Sequence, residues 1–257
     1  MFTKNEIIEL DEYLLSTNFP KPSGTLSGHA IGEPIEKGIY NYLKNKAPGS
    51  YFKQYELLNN MYLKHPNEDR LSLFRNEALR LLLNRGKKAT EKWSPQNMFV
   101  EKQNDTADIV KIINKHDFLT YGILDIKTFN TKLKGQPPNI ISAYKLAQLC
   151  MMILKNPSIE SSFEIFYYSI DWVDTDKDIK VTGTHLINLF SIPPEELYIN
   201  WAAAMQIQFH PAQVSQDFSQ SETKIEWARM YLEMYCASVN KRIVTMKDKF
   251  LDPFINY

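Results

Sequence analysis

Apolar residues along the chain recur with two periods, and the switches between 3.6 and 2 divide it into elements. Residues 1–15 carry Ile7, Ile8, Leu10, Leu14 and Leu15 at helical spacing, which predicts a first amphipathic helix. Residues 20–34, PKPSGTLSGHAIGEP, concentrate glycine, proline and serine and read as loop. From Glu33 to Lys46 the positions Ile35, Ile39, Tyr42 and Leu43 form a helix stripe, with Pro34 suited to a first turn. Two more helices are expected over 51–64 and 67–85, the second burying Leu71, Phe74, Ala78 and Leu81 and stopping at Gly86. The period then falls to two. Ala107–Ile113 and Phe118–Lys127 read as strands joined by the polar turn Asn114–Asp117, an antiparallel hairpin.

After a loop through Asn139, Ile140–Lys155 returns to helical spacing, with Asn139 placed to cap it. Phe163–Val173 is apolar on both faces, as an interior strand would be. The following DTDKD lacks the glycine and distal glutamate of a calcium loop and reads as a solvated turn. In ELYINWAAAMQIQFH, residues 196–210, the second part alternates like one half-buried strand. Ser219 and Glu222 suggest a capping box for a last long helix, whose buried stripe would include Ile225, Ala228, Leu232, Tyr235, Val239 and Met246, with Pro253 closing it. This order predicts an α/β fold, a central mixed sheet flanked by helices, as a single domain over 1–257.

Composition narrows the function classes. Thirty acidic side chains balance thirty basic ones, so any phosphate-binding surface must be local rather than a global field. The basic stretch NRGKKATEKW, with Arg85, Lys87, Lys88 and Lys92, is one such concentration. Cys150 and Cys236 lie in helical patterns without metal-ligand spacing and are expected in the core, reduced. No signal peptide or membrane-length apolar run is evident, which points to a cytoplasmic protein with no membrane partner. The five histidines show no ligand spacing, and no serine or cysteine sits in a nucleophile elbow.

The chemistry concentrates in Glu101–Asn139. Asp108 opens one strand of the hairpin, and Asp125 and Lys127 share a face of the other, with Ile126 on the opposite face. Two acids and an amine at one place suit metal-assisted phosphodiester hydrolysis, because the carboxylates hold a hard cation and the amine stabilises phosphate charge. An Asp125–Lys127 surface ion pair beside an ordinary hairpin is the plainer reading, and it leaves Asp108 unexplained. The loop FNTKLKGQPPN offers amides to base edges through Gln136 and Asn139. Glu33 and Glu36 fit a helix N-terminus, with an accessory metal or water contact as the sharper alternative. On these residues alone a site-specific nuclease, a structure-selective or repair nuclease and a catalytically silent DNA-binding module all stay open.

Longer stretches narrow the choice. SGTLSGHAIGEPIEK at 23–37, EKQNDTADI at 101–109, LDIKT at 124–128, PNIISAYKLAQ at 138–148 and residues 196–210 together resemble the type II restriction endonucleases of the HincII/HindII type. The resemblance implies a restriction-endonuclease-like core, a homodimer, Mg²⁺ as cofactor, and blunt cleavage of double-stranded DNA at the centre of GTYRAC leaving 5′-phosphates. It also implies a separate cognate methyltransferase. By the same likeness Asp108, Asp125 and the Ile126 carbonyl would be the metal ligands, and Asp108, Asp125 and Lys127 the catalytic residues of a hairpin spanning about 105–128. Gln136, Pro137 and Asn139 would lie in a DNA-reading loop of about 129–139, joined at the DNA by Gln103, Asn104, Tyr198 and Asn200. Pro137 stands where the family carries a small non-proline residue, which stiffens that loop and bears on flanking-sequence preference.

Overall fold

In the computed structural model the described residues are 2–22, 28–102, 105–115, 118–132, 139–202, 205–210 and 223–255. A six-stranded mixed sheet separates two hydrophobic cores. Its strands are β1 (Asn18–Pro20), β2 (Tyr51–Phe52), β3 (Ile109–Lys115), β4 (Phe118–Asn130), β5 (Phe163–Asp174) and β6 (Asp178–Asn188), in spatial order β1-β6-β5-β4-β3-β2. Neighbours run antiparallel except β4 and β5, which are parallel. A parallel pair needs a crossover, and helix α6 (Ala143–Lys155) supplies it. A separate hairpin pairs β7 (Tyr198–Asn200) with β8 (Gln206–Gln208).

The remaining helices are α1 (Lys4–Ser16), α2 (Gly28–Lys46), α3 (Gln54–Lys64), α4 (Glu77–Leu83), α5 (Lys87–Glu91), α7 (Lys224–Met246) and α8 (Asp252–Ile255). On one face of the sheet α1 and α2 lay Leu14, Ile35 and Ile39 against Leu124, Ile126 and Tyr168. On the other, α3, α4, α6 and α7 bury Leu58, Leu82, Leu146 and Trp227 against Ile123, Ile165 and Tyr167. The alternation of β4 between these cores is the period of two expected for it. Gly38 of α2 lets the helix approach β1, because a Cβ there would meet Phe19 Cε1 at 2.5 Å.

Several expectations are corrected. Helix α2 begins at Gly28, which puts Pro34 inside it rather than in its first turn. Tyr51 and Phe52 form a strand ahead of α3. The helix expected over 67–85 contracts to α4, because the Asn76 side-chain Oδ1 accepts from Leu79 N–H at 2.8 Å and fixes the start there. Gly86, at φ +86°, precedes α5 instead of ending a long helix. Ser142, not Asn139, caps α6. The strand expected over 201–210 shortens to β8, Gln206–Gln208, which pairs back on β7. Thr223 and Glu226 form the capping box of α7, while Ser219 and Glu222 lie outside the described residues.

The outer half of α7 leaves the body of the protein. Its buried residues end at Tyr231, so Cys236 and Met246 are exposed, contrary to expectation, whereas Cys150 is buried as expected. Among the described residues no helix is long and apolar enough to cross a membrane.

Candidate active site

Register brings the two acids together. Ile109 of β3 pairs with Leu124 of β4, so Asp108, one residue earlier, comes level with Asp125. Asp108 is held twice. Its N–H donates to Leu124 O at 2.9 Å, and its Oδ2 accepts from Ile126 N–H at 2.6 Å. Lys127 Nζ lies 2.6 Å from Asp125 Oδ1, both side chains on the same face of β4. Asp125 is only 7% exposed, and its Oδ2 is buried with no hydrogen-bond partner. A surface ion pair would not look like this, because a buried, unsatisfied carboxylate oxygen costs about 1–3 kcal/mol or more.

A second layer comes from distant segments. Glu36 of α2 and Lys53, which precedes α3 and bonds Glu101, both act electrostatically on the acids. Burial, then the nearby Asp108, pushes the Glu36 carboxyl up to about 7 against the opposing pull of Lys53 and Lys127. Asp125 is pushed up to about 8 by burial, with Asp108 and Glu36 adding to it and Lys127 opposing. Burial works against the Lys127 ammonium, yet Asp125, Asp108 and Glu36 together hold it above the ordinary lysine value. The site thus gathers more carboxyl groups than lysines, and burial with mutual repulsion makes two of those acids hard to ionise without a further cation.

That imbalance can be tested against a divalent cation. Asp108, Asp125 and the Ile126 carbonyl are all oxygen donors, the set that hard cations prefer. The buried Asp125 Oδ2, with no hydrogen-bond partner, is an oxygen that a cation could take up. Among the described residues no three His, Cys, Asp or Glu side chains converge as a ligand set, so the two aspartates need the backbone carbonyl to complete them. The residues fit.

The candidate reading residues lie on another edge. Asn139 Oδ1 accepts from Gln208 Nε2 at 3.0 Å, and the chain just beyond is stitched to β8 by Ile140 N–H to Ile207 O at 3.0 Å and Ile207 N–H to Ile141 O at 2.8 Å. Tyr198 is paired opposite Gln208 and Asn200 opposite Gln206, so Asn139, Tyr198 and Asn200 collect on one hairpin. Gln103, Asn104, Gln136 and Pro137 lie outside the described residues. Sequence reasoning missed Lys53 and Gln208. No local pattern marks Lys53, while Gln208 sits in the alternating amide face already noted in the sequence.

Comparison with known proteins decides the class. The family described as "Restriction endonuclease HincII" matches residues 10–257. The chain belongs to the HincII restriction endonuclease family. It is 45% identical to the type II restriction enzyme HindII and 44% identical to the type II restriction enzyme HincII, both of Haemophilus influenzae, in each case over 100% of this chain and 98% of the relative. Among solved structures the NlaIV restriction endonuclease aligns at 12% identity and a TM-score of 0.39, covering 93% of this chain and 90% of the other. Membership of the HincII family makes the chain a type II restriction endonuclease, a site-specific deoxyribonuclease with the mixed sheet and flanking helices expected of it. Enzymes of this class act on double-stranded DNA within restriction-modification systems and generally use divalent metal ions.

Proposed function

We propose that the protein cuts both strands of DNA at the centre of GTYRAC, in a Mg²⁺-dependent reaction that leaves blunt ends with 5′-phosphates. The observation that carries the reading is Asp108 pinned level with Asp125, whose second oxygen is buried without a partner, beside the Lys127 ammonium. Asp108, Asp125 and the Ile126 carbonyl would hold the cation, with Glu36 as a further acid beside them. When bound, Mg²⁺ supplies Lewis-acid stabilisation of the attacked phosphate. Lys127 orients the attacking water and stabilises charge on the phosphate by donating from its ammonium, already fixed by Asp125. In-line displacement then leaves the 3′-hydroxyl and the 5′-phosphate.

Reading falls to Asn139, Tyr198 and Asn200, supported by their gathering on the β7–β8 hairpin, together with Gln103, Asn104, Gln136 and Pro137 by family likeness. Direct amide contacts specify bases, and a flexible pyrimidine–purine centre is cheap to deform. A palindrome matches a two-fold dimer, one subunit per strand. Support for a homodimer comes from the helical arm at the end of the described chain. Ile243, Phe250 and Phe254 are 58%, 62% and 70% exposed, an apolar surface unusual for a monomer. A cognate methyltransferase would protect the same sequence in the host.

The test is plasmid DNA incubated with protein and Mg²⁺, followed by sequencing of the ends. Blunt ends within GTYRAC are expected. Untouched plasmid, or nicking without a sequence requirement, overturns the proposal. For the dimer, Phe250→Glu with Phe254→Glu should shift the sedimenting species to a monomer, and an unchanged mass would refute the arm's role.

A further inference from the structure

Away from the metal site, the α4–α5 turn, the flank of α6 and the chain at Lys102 and Asp105 enclose a cleft of about 630 Å³. Five basic side chains line it, Arg80, Arg85, Lys87, Lys102 and Lys145, against the two acids Glu77 and Asp105. Some of that charge is already engaged. Arg85 is bound through two nitrogens to Asp105, Arg80 meets Glu77 at 3.1 Å, and Lys87 reaches Glu91 only loosely at 3.9 Å in the open.

Lys145 is different. Its Nζ donates to Thr106 Oγ1 at 2.9 Å, a neutral oxygen, while burial depresses its pKa below the ordinary lysine value despite the proximity of Asp105. A hydroxyl does not compensate an ammonium taken out of water; an anion does. Arg85 adds a buried Nη1 with no acceptor, so a second cation in the same wall is incompletely satisfied. The cleft also adjoins the functional segments. Thr106 lies two residues before Asp108, and Lys145 sits in the first turn of the helix that follows Asn139.

We propose that this cleft holds a backbone phosphate of duplex DNA outside the recognition sequence, with Lys145 as the anchoring cation and Lys87 and Lys102 at its rim. The inference rests on the restriction reading above. It also divides the basic stretch NRGKKATEKW, since Arg85 and Lys87 line the cleft and Lys88 and Lys92 do not. Such a contact fixes the enzyme on the duplex without reading sequence, so it adds affinity and salt dependence and no base preference.

The experiment compares wild type, Lys145→Gln and the surface double variant Lys87→Ala/Lys102→Ala. Lys145→Gln keeps a polar group beside Thr106, and the double variant alters only rim side chains, so one of the two remains folded in any outcome. Binding is measured in EDTA against salt on two duplexes. One carries about 10 bp, one helical turn, on either side of the site; the other ends at the site. On the long duplex we expect Lys145→Gln to bind roughly tenfold more weakly and to lower the slope of log K against log salt by about 0.9. The double variant should lower the slope in the same direction, and neither should change binding to the short duplex. Unchanged slopes on the long duplex, or equal losses on both, overturn the proposal.

Inorganic phosphate without DNA is the second arm. If it raises the thermal midpoint of wild type but not of Lys145→Gln while the DNA slopes stay unchanged, the cleft is a free-anion site and the DNA assignment falls. A wild-type protein that cuts no DNA with Mg²⁺ would instead refute the restriction reading, which this comparison of variants does not touch.

Discussion

Replacing Lys127 by methionine removes the ammonium and keeps most of the stem, and it should separate chemistry from stability. For chemistry, the charge 2.6 Å from Asp125 is lost from beside the phosphate of the proposed mechanism. Removing one preorganised electrostatic stabiliser typically costs about 10²–10³ in rate, or roughly 3–4 kcal/mol. Single-turnover cleavage with Mg²⁺ should fall by that factor while DNA binding in EDTA changes little.

For stability the usual expectation is harsher, since breaking a buried ion pair costs about 3–5 kcal/mol when the remaining charge stays ionised. Here Asp125 has an escape, because its pKa is already pushed up to about 8 with Lys127 present, so near neutrality it can hold a proton. Without Lys127 that pKa rises further. An acid whose folded pKa is raised contributes stability that is fully present below its unfolded value and is lost as pH rises through the folded one. Wild type therefore stops losing stability from this group near pH 8, whereas the variant goes on losing about 1.4 kcal/mol per pH unit. Denaturant titrations of metal-free protein should find the variant within about 1 kcal/mol of wild type near pH 6.5, and about 2 kcal/mol below it near pH 9.5. A deficit of 3–5 kcal/mol at pH 6.5 would refute the reasoning by showing Asp125 ionised in the folded state, and cleavage at the normal rate would refute the role of Lys127.

Asp125→Asn should abolish cutting and yet stabilise the metal-free fold at pH 8.5 by about 1–3 kcal/mol, since it removes a buried acid whose ionisation opposes folding; a lower thermal midpoint in EDTA would contradict this. Lys224, buried at the start of α7, donates to Glu160 O and Phe163 O, each at 2.6 Å, and to Glu164 Oε1 at 2.8 Å. Lys224→Met should cost about 3–5 kcal/mol in chemical denaturation, and adding Glu164→Gln should recover part of it by removing the stranded charge while leaving an acceptor for Asn188; no recovery would mean the loss is packing alone. Glu6 is lowered to about 2, since hydrogen bonds from Lys111, Thr3 and Tyr51 outweigh burial. A depressed acid contributes stability above its unfolded value that disappears as pH falls, so stability should drop by about 1–2 kcal/mol between pH 4.5 and 2, the side chain being partly solvated. Glu6→Gln should flatten that part of the curve, and an unchanged acid limb would rule the group out.

The hairpin bearing the site was legible because its signal is local. A period of two, a polar turn and two acids at the right separation are enough to bring Asp108 level with Asp125 once the strands pair. What surrounds it was only partly so: Glu36 stood out as a candidate accessory acid at a helix N-terminus, whereas Lys53 arrives from the start of α3 by packing, which no spacing along the chain records. The β7–β8 hairpin escaped for a different reason. Alternation continues through its turn without glycine or proline, and the one local sign is Asn200, whose side-chain oxygen accepts from Ala202 N–H at 3.1 Å and closes an Asx turn. The far half of α7 kept a helical stripe in sequence but, among the described residues, buries none of it fully beyond Tyr231, so periodicity there foretold a surface and not a core.

These two failures bear on how the protein divides its work. The proposed cutting groups sit where paired backbone holds them, Asp108 through Leu124 O and Ile126 N–H, and charge stabilisation depends steeply on position. The proposed reading groups gather at a small hairpin joined to the body through Ile140 and Ile207, with Asn139 Oδ1 accepting from Gln208 Nε2. Gln208 occupies one lone pair of Asn139 Oδ1 and leaves the other, with the Nδ2 donors, for a base edge, so in the proposed role Asn139 would meet DNA in an orientation that Gln208 already sets. Discrimination at that position would then come from an orientation fixed in advance as much as from the contact itself.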